Sequence, residues 1–73
     1  MRIEVKGQTS DRDVELTGNE AASADKHKIE YYLAIIPDIP NNPALYVLND
    51  PTRVGKKDKL LIEISDWKNH KWP

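Results

Sequence analysis

A chain of 73 residues has the length of one domain, and folding at this size removes only about 60% of the unfolded chain's surface from water, so the core is small. Cysteine is absent, which excludes a disulfide framework and a Cys-rich metal site; no apolar run is long enough to cross a bilayer or mark a secretory signal, so the reading is a cytoplasmic protein with no membrane partner. The formal net charge of −1 gives no general attraction to nucleic acid, and any site for a polyanion has to be local.

In chain order, "RIEVK" alternates with period two, which predicts a half-buried strand over Arg2–Lys6. Ile3 and Val5 are expected to face the core, and Arg2, Glu4 and Lys6 to face away from it. "QTSDRD" is polar turn material, and "VEL", Val14–Leu16, reads as a short strand pairing back on the first. Thr17 followed by Glu20 forms a capping box, which starts a helix at about Gly18; Ala21, Ala22 and Ala24 favour it, and Lys26, His27 and Lys28 suit its negative end. "YYLAII", Tyr31–Ile36, lacks alternation and predicts a central strand covered on both faces. The proline-rich "PDIPNNP" is a loop, "ALYVLND" a neighbouring strand, "TRVGKKDK" a charged loop, and "LLIEIS", Leu60–Ser65, a last strand. Trp67 and Trp72 in the tail offer apolar area for a flap over one sheet face. The fold class is α/β (α+β): a small mixed β-sheet with one short helix and a strand-helix-strand crossover from Ile3 to Ile36.

Residues two apart on a strand share a face, so Glu4 and Lys6 present a carboxylate and an ammonium side by side, roughly 6–7 Å apart. Metal-dependent phosphodiester hydrolysis uses such a pair, the carboxylate holding Mg²⁺ and the lysine orienting a water nucleophile. The same pattern also occurs as a solvated face with cross-strand ion pairs.

Beyond these patterns, "RIEVKG", "VELTGNE", "YYLAIIP" and "NDP", in this order over Arg2 to about Pro51, resemble the family of domains at the carboxyl end of the plant protein NO VEIN. That family occurs in many bacterial proteins associated with restriction and helicase systems, and it resembles the PD-(D/E)xK nuclease superfamily. The resemblance implies the C-terminal half of a restriction-endonuclease-like core, with Glu4 and Lys6 matching the second half of the nuclease motif as catalytic residues and Glu4 as the ligand of Mg²⁺. The superfamily draws another acidic residue from an upstream strand, whereas only Met1 precedes Arg2, so the expectation is a single truncated nuclease-like domain over 1–73. Its function would be that of a fragment or remnant of a DNA-processing nuclease, not catalytic by itself and reaching DNA through a parent protein. The alternative is a non-catalytic interaction module that self-associates as a homo-oligomer or completes its sheet, at an open edge, with a partner. Glu20 is a candidate stand-in metal ligand as well as a capping residue, and Asp11 and Asp13 read as a solvated turn.

Other candidates have simpler explanations. His27 and His70 lack partners at zinc-ligand spacing. The "KHK", "GKK" and "KNHK" clusters would suit a phosphate backbone or simply solubility, and Tyr31, Tyr32 and Tyr46 would stack bases or fill the core. The expected core unites Ile3 and Val5 with Leu33, Ile35 and Val47.

Overall fold

The aromatic and β-branched run after the helix forms the strand on which everything else is assembled, as a computed structural model describing residues 1–41, 44–54 and 60–73 shows. The elements are β1 (Arg2–Gly7), β2 (Val14–Leu16), α1 (Gly18–His27), β3 (Tyr31–Ile36), β4 (Leu45–Asn49), β5 (Leu60–Ile62), α2 (Ile64–Trp67) and β6 (Lys71–Trp72). Short 3₁₀ turns at Lys28–Glu30 and Pro51–Arg53 follow α1 and β4. The main sheet has the order β1-β3-β4-β6, with β1 parallel to β3 and the other pairs antiparallel. This is the mixed sheet expected from the sequence, and the expected strand-helix-strand crossover joins two parallel strands. The middle of the proline-rich loop (42–43) and most of the charged loop (55–59), including the "GKK" cluster, lie outside the described residues. Among the described residues no helix is long and apolar enough to cross a membrane.

The helix starts where Thr17 and Glu20 place it, and its capping box is closed. It lies on one face of the sheet, together with α2 and a separate two-stranded ribbon. That ribbon corrects one expectation: β2 does not pair back on β1 but runs antiparallel to β5, with Val14 opposite Ile62 and Leu16 opposite Leu60. Both strands are too short to carry a partner preference, and pairing buries Val14, Leu16 and Ile62 against the sheet. The predicted last strand stops at Ile62, because Glu63 and Asp66 form a second capping box that opens α2, with the Glu63 amide donating to Asp66 at 3.0 Å. Trp67 on α2 is completely buried and stacks edge-on against Tyr46 at 5.0 Å, its indole N–H donating to the Arg12 carbonyl at 3.2 Å. The two tryptophans therefore part company, since Trp72 on β6 is 61% exposed.

The same contacts revise the turn before β2. Asp13 accepts a 2.9 Å hydrogen bond from the Ile64 amide, and Asp11 pairs with Lys68, whose ammonium lies 5.2 Å from the Tyr46 ring. These acids are pins between the turn and α2 rather than solvated turn residues.

The largest correction concerns β1. Register aligns Glu4 with Leu33 and Lys6 with Ile35, and both aligned β3 residues are fully buried. Glu4 and Lys6 thus point toward the helix-covered face, while Ile3 and Val5 point to the opposite face and are 59% and 57% exposed. Val47, expected in the core, lies half-buried on that opposite face beside Ala34. The core is instead built from Leu33 and Ile35 with Val14, Leu16, Ile62 and Trp67, all under α1 and the ribbon. Because β1 is an edge strand, its inward charges sit at the rim and keep partial contact with water, a placement that also deters edge-to-edge pairing. Accordingly β3 is buried on one face and half-buried on the other, not covered on both.

This arrangement separates two substitutions that the sequence pattern would treat alike. Ile35→Ala should cost about 2–5 kcal/mol in urea unfolding, as for a fully buried aliphatic residue, whereas Ile3→Ala should cost less than about 1 kcal/mol. Similar losses at the two positions would contradict the placement of β1.

Candidate functional site

Three residues singled out in the sequence, Glu4, Lys6 and Glu20, converge at the rim between β1 and the first turn of α1. The period of two brings Glu4 and Lys6 to one side of the strand, and the parallel crossover returns the helix N-terminus over that side. The Lys6 ammonium donates to both Glu20 carboxylate oxygens at 2.8 Å. Glu20 also accepts from the Thr17 amide, at a longer 3.5 Å. Its main partner is therefore Lys6, with the cap as a second role.

The electrostatics of the two acids diverge. Burial raises the Glu4 carboxyl above its ordinary value of 4.5, and a hydrogen bond with Glu20 and that residue's negative charge push the same way, against a smaller opposing pull from Lys6. The Lys6 hydrogen bond lowers Glu20, with burial opposing. Of the two, Glu4 is therefore the first to take up a proton as pH falls, and Glu20 stays ionised to lower pH.

Tyr31 supplies a feature that sequence reasoning missed. Its register partner is Arg2, its side chain is 2% exposed, and its hydroxyl is buried without a hydrogen-bond partner. Burial raises its pKa, followed by the charges of Glu4 and Glu20, so the phenol stays protonated near these acids. Glu4, Glu20 and Tyr31 line a shallow concavity of about 240 Å³ with Arg2, Asn19 and Ser23. No local pattern marks a tyrosine hydroxyl as orphaned; only the register that sets Tyr31 beside Arg2 does so.

The remaining candidates are dispersed. Among the described residues, no three His, Cys, Asp or Glu side chains are grouped to hold a metal ion. Lys28 of the "KHK" cluster is paired with Asp25 at 2.8 Å, and Lys68 of "KNHK" with Asp11, so both clusters are partly neutralised. Tyr31 and Tyr46 belong to the core, which removes them as base-stacking surfaces.

Residues 1–48, from β1 into β4, match the family model described as Protein NO VEIN, C-terminal, and the chain belongs to that family. All of Glu4, Lys6, Glu20 and Tyr31 fall inside the matched segment. No curated protein matches the chain, and no solved structure does.

The two acids pull stability in opposite directions with pH. A raised folded-state value means that the favourable contribution of Glu4 is present below its ordinary 4.5 and is lost as pH rises through the raised value. That of Glu20 is present above 4.5 and is lost as pH falls through its lowered value. Glu4→Gln, which keeps a donor toward Glu20 and cannot ionise, should therefore raise the melting temperature near about pH 7 and lose that advantage near about pH 3. A destabilised variant at neutral pH would contradict this protonation pattern. Tyr31→Phe removes a hydroxyl with no protein partner and should be neutral or stabilising by up to about 1 kcal/mol in urea unfolding. A clear loss would mean that the hydroxyl is bonded in solution.

Proposed function

We propose that this domain is a remnant of a nuclease-like, DNA-processing domain whose metal site is centred on Glu4 and Glu20 and which does not cleave DNA by itself. The observation that carries this reading is the convergence of Glu4, Lys6 and Glu20 at one rim of the sheet, where an acid and a lysine two residues apart meet a second acid from the helix. The donor set suits Mg²⁺, which is commonly held by one or two carboxylates and otherwise keeps its waters. Bound there, the ion would supply charge stabilisation and an activated water for phosphodiester hydrolysis.

The same geometry explains the lack of independent activity. Lys6 is engaged by both oxygens of Glu20, so the lysine that would orient a water and the second carboxylate are committed to each other. A further carboxylate contributed by a parent protein or a partner would compete with Glu20 for Lys6 and offer a metal ion another ligand, and the charge of the bound ion would favour ionised Glu4. In this reading DNA is engaged through a parent protein in the cytoplasm.

A second reading, a non-catalytic interaction module, is favoured by a different observation: the exposed Ile3, Val5 and Trp72 on the face of the sheet opposite the helix.

Paramagnetic broadening by Mn²⁺ tests the metal site. Titration should broaden amide signals around Glu4, Lys6 and Tyr31, more strongly at pH values where Glu4 is ionised, and Glu4→Gln should abolish the effect. Broadening centred elsewhere, or unchanged in the variant, would overturn the assignment.

A further inference from the structure

The face of the main sheet away from α1 is uncharged and mostly apolar, with Tyr32 and Asn49 as its polar strand positions. Ile3 and Val5 of β1, Ala34 and Ile36 of β3, Val47 of β4 and Trp72 of β6 share it through their register, and no strand position on that face carries a charge. The charges of β1 and β6, Arg2, Glu4, Lys6 and Lys71, all occupy the other parity. At one end Ile39, 37% exposed, folds over Gly7, where an added Cβ would come within 3.1 Å of its Cδ1. Glycine there lets the loop extend the apolar surface past the strand end. A parallel strand pair such as β1 and β3 is normally covered on both faces, and here only one is covered.

We propose that this open face seats a second copy of the same chain, two sheets packing face to face about a two-fold axis. The proposal rests on the interaction-module reading and names its partner. Two observations select a second copy. First, an uncharged patch meets its own image without like-charge repulsion, which a self-complementary interface requires. Second, the area suits a weak contact: strands of 6, 6, 5 and 2 residues, at about 3.3 Å per residue and about 4.8 Å spacing, give a footprint of roughly 300 Å² before side-chain relief is counted. Met1 and Ile39 at its margin, and the relief of protruding side chains such as Trp72, enlarge it toward the roughly 600 Å² per partner at which small specific interfaces begin. The dimer is thus a weak, concentration-dependent one, with Trp72 as its aromatic anchor. Pairing through the β1 edge is the poorer route, because Glu4 and Lys6 guard that edge with inward charges.

The test uses the full chain. Sedimentation equilibrium from about 10 μM to about 1 mM should show the mass rising from 8.4 kDa toward twice that value, a range in which small interfaces associate. Val5→Glu, at an exposed position, should stay folded by circular dichroism and remain monomeric at every concentration; Trp72→Ser gives an independent disruption from another strand. Hydrogen exchange of the β1 amides should not slow with concentration, whereas edge pairing would protect them. A folded wild-type monomer throughout the range, a dimer untouched by both substitutions, or protected β1 edge amides would overturn the proposal. Binding of an anilinonaphthalene sulfonate dye separates the two levels of the argument. A monomer that binds the dye through Val5 and Trp72 keeps the face as a docking surface and removes the second copy, while a monomer that does not bind it removes both.

Discussion

The ion pair between Lys6 and Glu20 is the contact on which the arrangement of this small domain turns. It joins the edge strand to the first turn of α1, on the side of β1 that faces the helix. Side chains alternate along a strand, so a slip of one residue would exchange the two faces completely. With Lys6 and Glu4 held under the helix rim, Ile3 and Val5 have only the far side of the sheet to occupy. The charged concavity and the bare apolar face are therefore two consequences of one choice. Because both partners of the pair keep some contact with water, the interaction acts more as a register key than as a large source of stability.

The core that remains is compact and borrowed from distant parts of the chain. The covered face of β3 and β4 is roofed by α1, the β2–β5 ribbon and Trp67, and the turn after β1 is tied to α2 through Asp11, Asp13 and the Arg12 carbonyl. These ties hold the C-terminal segment against the part that matches the NO VEIN C-terminal family, so the residues beyond Leu48 complete the core of the matched segment rather than form a separate unit. The site rim itself rests on little of this packing: Glu4 and Glu20 are only partly buried, and Tyr31 anchors the concavity from below.

Much of this was legible in the sequence where the signal is local. The Thr17–Glu20 spacing located the start of α1, the apolar run after it marked β3, and the strand-helix-strand order implied a crossover that the parallel β1–β3 register bears out. Alternation in β1 identified a strand but assigned its faces wrongly. The pattern says only that one parity is apolar, and which parity faces the core depends on what covers the sheet. The partner of β2 was equally unreadable, since three residues carry no information about a strand far along the chain. By contrast α2 was findable, because Glu63 and Asp66 repeat the capping spacing used for α1. At the site, Glu4, Lys6 and Glu20 were each legible, while the orphaned hydroxyl of Tyr31 depends on register alone.

The central claim is that the charged side of β1 faces the helix and the apolar side faces outward. The most direct measurement is solvent paramagnetic relaxation of methyl signals by a soluble gadolinium chelate at high dilution, where self-association is minimal. The account predicts strong relaxation of the Ile3 and Val5 methyls and protection of those of Leu33 and Ile35. Protection of Ile3 and Val5 in the dilute monomer would place the apolar side of β1 in the core and contradict the account.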